Sequence, residues 1–262
     1  MINKYIFLFL VLFVYTGLFS QQKDYSFGYR LEYTPDSADV LNTKVEDFVL
    51  FIDKAKSYFV SENFLKRDSI LKAISNSQDI TFNMSKVPNT RFRSVVVKEN
   101  AKVDFYDNIL KYYFSYQEKP EFNWKLVNEK QKIGNYNCSK AETEYGGRKW
   151  VAWYTSDLPI NDGPYKFNGL PGLIVKIEDS KSNYRYDLIN VKQRSLPDNV
   201  IFTEKYFKQH KAISKDDYKK AVKNINENMI NEAAQNGLTI APESLELVKK
   251  NLSKRNNPIE LK

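Results

Sequence analysis

The sequence predicts a mainly β protein with a smaller helical part, an α+β chain whose strands form one curved antiparallel sheet or half-barrel. Three observations carry that expectation. Tyrosine and phenylalanine supply nearly all of a 15% aromatic content, and they fall in short alternating runs, the composition of a half-buried pleated surface. Turn residues bound these runs, and most connections between them are of hairpin length. Helical periodicity is confined largely to the C-terminal part, so one helix covering the sheet and a C-terminal helical region complete the picture. A sandwich of two sheets is the alternative arrangement.

The elements follow in chain order. Lys4 precedes an apolar stretch over residues 5–19, and Ser20-Gln21-Gln22 then switches the chain to polar sequence. A charge, a short apolar run and a small residue at a polar boundary form an export signal over residues 1–20. The only cysteine is Cys138, so neither a lipid-anchored amino terminus nor an internal disulfide can form, and the thiol is read as buried and inert. The remaining chain divides into an antiparallel β part over 21–200 and a helical segment over 201–262, packed on or trailing from the same domain. Its length suffices to bury a core without cross-links.

Strands are predicted at 25–33, 48–52, 57–60, 92–97, 103–106, 111–116, 124–127, 136–145, 149–154, 173–177 and 184–191. Tyr145-Gly146-Gly147-Arg148 marks the clearest hairpin, because consecutive glycines accept the positive φ angles of a two-residue turn. The following strand alternates Lys149, Val151 and Trp153 with Trp150, Ala152 and Tyr154. Both faces are largely apolar, which places it centrally in the sheet. Leu173, Val175 and Ile177 are expected on one face of the next strand, opposite Lys176 and Glu178.

A short helix is expected over 68–75 through Ile70, Leu71 and Ile74. Ser214 and Asp217 form a capping pair, and Tyr218, Val222, Ile225 and Met229 recur at helical spacing before Gly237 closes the run. Pro242 stands where proline is accepted at a helix start, and Leu245, Val248 and Leu252 lead into a polar tail read as frayed.

The densest signal is Phe167-Asn168-Gly169-Leu170-Pro171-Gly172-Leu173-Ile174, with Trp153-Tyr154-Thr155, Pro159 and Gly163-Pro164-Tyr165-Lys166-Phe167 ahead of it. This run resembles the signature of the GLPGLI family, named for Gly169, Leu170, Pro171, Gly172, Leu173 and Ile174. The resemblance implies a secreted protein of a bacterial cell envelope and brings no activity with it. Physically, Asn161-Asp162-Gly163-Pro164 is a turn, and two glycines and a proline then bend the chain before a strand begins at Leu173. Such a segment either sets a strand corner by packing Leu170 and Ile174 into the core, or plugs the end of a barrel or lines the mouth of a pocket. No ionisable side chain stands between Gly169 and Ile174, so it performs no chemistry itself. At the level of fold alone, the strand spacing, with two long strands between Trp124 and Tyr154, resembles the half-barrel of periplasmic lipoprotein carriers.

Forty Lys and Arg oppose thirty-two Asp and Glu, a net charge of +8. The densest basic group, Lys205, Lys208, Lys211, Lys215, Lys219, Lys220 and Lys223, reads as a solvated helical face, with peripheral contact to an acidic envelope polymer as the sharper reading. No recognition motif points to nucleic acid. The single histidine, His210, sits in the polar run Lys208-Gln209-His210-Lys211 and reads as exposed. No nucleophile elbow, phosphate loop, dinucleotide fingerprint or zinc-ligand spacing is present, so no catalytic residue, metal or cofactor is assigned and an enzyme is not expected. Carboxylate pairs stay formally open, with Asp104, Asp107, Glu142, Glu144, Asp157 and Asp162 as the candidates.

The expectation is therefore an exported periplasmic or cell-surface binding or carrier protein for an apolar or amphipathic ligand. Trp150, Trp153, Tyr154, Tyr165, Phe167 and Leu170 are the candidate binding residues. The competing reading is a non-enzymatic interaction module that meets an outer-membrane receptor or secretion machinery through a sheet edge or aromatic patch.

Overall fold

The computed structural model describes residues 24–76, 84–235 and 242–262; the export signal over 1–20 and the stop at Gly237 lie outside them. Two antiparallel meanders build one sheet. The first runs through β1 (Tyr25–Tyr33), β2 (Lys44–Asp53), β3 (Lys56–Ser61), β4 (Val95–Glu99), β5 (Lys102–Ile109) and β6 (Tyr112–Glu118). The second runs through β7 (Lys125–Ile133), β8 (Tyr136–Tyr145), β9 (Arg148–Thr155), β10 (Leu173–Asp179) and β11 (Tyr184–Gln193). Pairing of β1 with β11 joins them, and β12 (Lys211–Ala212) adds a short parallel edge to β6. The sheet is mainly β, curved and unclosed.

Local sequence explains the turns and registers. Tyr145 pairs with Arg148 across Gly146 and Gly147, whose φ angles are +59° and +79°, the geometry that residues with a Cβ enter at a cost. β9 lies between β10 and β8 as its two-sided apolar pattern predicts. One expectation on β10 is overturned. A register shift between Ile174 and Lys176 places Val175 with Cys138 and Trp153, while Leu173 and Ile177 join the opposite cluster. A bulge breaks the alternation from which a common face was read. The strand expected from 92 begins only at Val95, because the Thr90 hydroxyl accepts from the Phe92 N–H at 2.9 Å and holds a turn there.

Helix α1 (Glu62–Ser75) starts earlier than its apolar spacing suggests, since Ser61 caps it by accepting from the N–H groups of Asn63 and Phe64. Phe64 and Leu65 of α1 cover one face of β2, β3 and β4, together with Ile201 and Tyr206, the latter from α2 (Glu204–Lys208). Helix α3 (Lys215–Gln235) has the expected Ser214–Asp217 cap and packs against β6, with Tyr218 on Phe105 and Tyr116. Helix α4 (Pro242–Ser253) starts at its proline. The tail beyond it is not frayed. Asn257 is buried and donates to Thr34 O at 2.7 Å, and the Leu261 N–H reaches Gly146 O at 2.6 Å. Its polar composition suggested solvent, but those polar groups complete hydrogen bonds inside the protein.

Candidate functional site

The other face of the sheet, lined by Phe27, Tyr29, Leu31, Phe48, Phe59, Val96, Phe105, Ala152 and Tyr186, curls around the segment between β9 and β10. That segment fills the half-barrel. Phe167 is fully buried, with its ring centroid 4.8 Å from that of Trp150 and 5.4 Å from that of Phe122. Leu170, Leu173 and Ile174 are equally inaccessible, so the corner and plug readings of the signature describe one arrangement. Its backbone is tied down as well. Tyr29 donates its hydroxyl to Ile174 O at 2.7 Å, Trp124 donates Nε1–H to Asn168 O at 2.9 Å, and the Leu173 N–H bonds Leu158 O at 3.0 Å. Gly172 has φ +142°, and a Cβ there would lie 2.0 Å from Thr155 O. Tyr165 holds φ +54°, a left-handed conformation that tyrosine adopts only where its surroundings enforce it.

Of the six candidate ligand residues, Trp150, Tyr154, Tyr165, Phe167 and Leu170 share this central cluster, whereas Trp153 faces the other side of the sheet with Cys138 and Val175. All six are buried against protein.

Two charged centres adjoin the segment. In the first, Lys166 is fully buried and gives its ammonium to Tyr116 Oη at 2.7 Å, to Glu260 Oε1 at 2.6 Å and to Glu118. Lys215 contacts both carboxylates, and the Tyr145 hydroxyl lies within reach of each, 3.1 Å from Glu118 Oε1 and 3.2 Å from Glu260 Oε1. Burial pushes the Lys166 ammonium down, against the pull of Glu260 and Glu118. Burial alone would raise Glu260, yet Lys166 and Lys215 hold its carboxyl at about 2. Beside this centre Arg148, also buried, pairs with Asp179 at 2.9 Å and holds the tail through Asn257 Oδ1 and Pro258 O, both at 2.6 Å.

The second centre is open. A cavity of about 250 Å³ lies between the β2–β3 turn, the β4–β5 turn and the segment from Ile160 to Asn168. Both turns place residues at positive φ, Lys54 in one and Asn100 and Ala101 in the other. Lys98 is buried in the wall, forms an ion pair with Asp162 and donates to Gly163 O at 2.7 Å. Burial pushes its pKa down while Asp162 pulls it back. Ser57 is 3% exposed, and its hydroxyl has no hydrogen-bond partner among the described residues. Ile52, Ala55, Ala101 and Ile160 supply apolar wall, and Asn100, Asn161, Asn168, Lys54 and the Lys56–Glu99 pair supply the rest.

Sequence reasoning placed Asp162 in a turn, and its carboxylate does accept from the Gly163 N–H at 2.7 Å. It missed Lys98, Ser57 and Lys166, which sit in strand or loop patterns as ordinary polar residues; strict alternation along β4 puts Lys98 beside apolar valines, the one available signal. Of the other carboxylates, Glu142 and Glu144 are exposed, Asp157 accepts from the Asn137 N–H at 3.0 Å, Asp104 accepts from Gln117, and Asp107 accepts from the Tyr218 hydroxyl at 2.6 Å. The exposed reading of His210 is overturned. Its ring is buried among Tyr106, Tyr113 and Tyr206, Nδ1 lies 2.8 Å from Tyr206 O, and burial lowers its pKa. The short turn between α2 and β12 folds it inward, which a polar run does not reveal. Among the described residues no three His, Cys, Asp or Glu side chains gather as a metal site, and no helix is long and apolar enough to cross a membrane.

Residues 142–176 match the model of a family described as "Protein of unknown function (Porph_ging)". The match runs from β8 through β9 and the plug segment into β10, and so includes Asp162 and Lys166. No curated protein matches the chain. Solved structures of PNGF-II in space groups P21 and C2 are similar to it, at 18% and 17% identity with TM-scores of 0.49 and 0.48. These alignments cover 76% and 73% of this chain but 32% and 31% of the PNGF-II chains, so it spans about a third of their length.

Proposed function

We propose that this chain is an exported binding protein of the cell envelope, of the GLPGLI type, that holds a small amphipathic ligand in the cavity beside its signature segment. The observation that carries the reading is that one open cavity is lined both by the buried Lys98–Asp162 ion pair and by Ser57, whose buried hydroxyl has no partner among the described residues. A buried hydroxyl without a partner costs about 1–3 kcal/mol, and a ligand that bonds it recovers that cost. Ile52, Ala55 and Ile160 give the same cavity an apolar side, so it suits a molecule with one polar and one apolar face. The half-barrel interior serves a different end in this reading: Trp150, Tyr154, Tyr165, Phe167 and Leu170 hold the plug that forms one cavity wall.

The family resemblance supports export to the envelope. Native mass spectrometry of the protein purified from its own envelope tests the reading. The expected result is a stoichiometric mass excess from one small molecule, lost in Ser57→Val. A clean unliganded mass overturns it, and a co-purifying outer-membrane protein would favour the interaction module instead.

A further inference from the structure

The cavity wall carries a balance of donors and charges that narrows the ligand further, on the assumption that the ligand does bind there. Its ionic groups are mostly matched in pairs. Lys98 faces Asp162, and Lys56 faces Glu99 at 3.1 Å. Lys54 lines the same cavity from the β2–β3 turn, is exposed, and forms no ion pair or side-chain hydrogen bond among the described residues. One positive charge is therefore left over. Lys98 has three ammonium hydrogens, and Asp162 and Gly163 O account for two. With the free Ser57 hydroxyl, the unspent groups are predominantly donors.

The carboxamides of Asn161 and Asn168 add neutral polar contacts. Asn168 donates through Nδ2 to Lys166 O at 2.9 Å, which leaves its side-chain oxygen to accept. The apolar patch of Ile52, Ala55 and Ile160 matches a face of C–H groups. At about 250 Å³ the volume falls below the ~300–1,000 Å³ of pockets for drug-sized ligands, so the occupant is a single small molecule.

We infer that the ligand is a small hydroxylated carboxylate of sugar-acid size, its carboxylate directed to Lys54, its hydroxyls to Ser57, Lys98 and Asn168, and a C–H face against Ile52 and Ile160. A monoanion fits better than a phosphate dianion, because one unpaired lysine is available and Asp162 and Glu99 stand in the same wall, where added negative charge is repelled.

The probes are glucuronate and glucose, titrated into the full exported chain and followed by calorimetry, with Lys54→Ala and Ser57→Ala alongside. Lys54→Ala removes an exposed, unpaired side chain and is expected to leave folding intact. Glucuronate is expected to bind the parent chain, with glucose weaker by about tenfold, the loss of one charge-assisted hydrogen bond. Lys54→Ala should erase that difference, and Ser57→Ala should weaken both. Equal binding of glucose and glucuronate in the parent chain overturns the anionic class while leaving the cavity reading intact. If neither binds, the proposal falls. The extract-derived mass excess, lost in Ser57→Val, then tells whether the cavity reading stands without it.

Discussion

Lys98 and Lys166 are both buried ammonium groups held by carboxylates, both lie against the segment between β9 and β10, and they differ in how completely their bonding capacity is used. Lys166 finds three acceptors, in Tyr116, Glu118 and Glu260, and Lys215 brings a second positive charge to those two carboxylates. That centre is charge-balanced and lies under the C-terminal tail. Lys98 finds two acceptors and lines open space, next to a hydroxyl that finds none among the described residues. Buried polar groups that are fully paired hold a fold in one arrangement. Unspent ones beside a cavity mark where something else can be held.

Because both centres are mounted on the plug, the largest effect comes from loosening it. Gly172→Ala forces a Cβ to within 2.0 Å of Thr155 O at φ +142°, a clash with backbone that no rotamer relieves. Denaturant unfolding should show a loss of more than about 4 kcal/mol, and both centres should fail together. A variant stable to within about 1 kcal/mol of the parent would mean that the plug does not need this close approach.

The next effect separates the centres. Glu260→Gln removes a charge from the sealed network and leaves two ammonium groups with one carboxylate. Breaking a buried ion pair from one side costs about 3–5 kcal/mol, and the lower end is expected because Glu118, Tyr116 and Tyr145 remain. Ligand binding at the cavity should be unchanged once temperature is lowered to restore folding. A loss of binding equal to that in Ser57→Ala would show that the two centres act as one.

Acid titration sharpens the same point. The Glu260 carboxyl is depressed from 4.5 to about 2 in the folded protein. A group held below its unfolded value stabilises the fold above that value and loses the contribution as pH falls through the folded one. Parent stability should therefore decline by on the order of 3 kcal/mol between about pH 4.5 and pH 2, and this part of the decline should be missing in Glu260→Gln. An unchanged acid limb in Glu260→Gln would place the depression elsewhere.

Much of the sheet was legible because its information is local. The Gly146-Gly147 hairpin, the two-sided pattern of β9 and the Ser214–Asp217 cap each depend on neighbours in the chain, and each appears as expected. The bent signature also gave itself away, through Gly172 and through Leu170 and Ile174 packing inward. What sequence could not supply was the long-range closure of charges. Lys166 meets Glu118 and Glu260 across separations of 48 and 94 residues, and Lys98 meets Gly163 across 65. No periodicity or motif registers such pairings. The same blindness sent the tail, with Asn257 and Glu260, to solvent, and His210 with it. Of the aromatic residues chosen as a ligand surface, Trp150, Tyr154 and Tyr165 lie in the central cluster against Phe167 and Leu170 of the same chain, and Trp153 lies on the other face.

The smallest expected effect makes the sharpest distinction between the centres. Ser57 is buried, yet its hydroxyl bonds nothing among the described residues, so Ser57→Ala deletes a desolvated polar atom and no hydrogen bond within the protein. Stability should stay within about 0.5 kcal/mol of the parent or rise slightly, because removing an unsatisfied buried group relieves its desolvation penalty. A structural serine behaves otherwise: Ser61, which caps α1 and also bonds Glu46, should cost about 1 kcal/mol or more as alanine. Thermal melts of the two variants side by side therefore read out which hydroxyl the fold uses. A Ser57→Ala loss as large as that of Ser61→Ala would mean the hydroxyl has a partner inside the folded chain, and the cavity would lose the unspent group on which its role as a binding site depends.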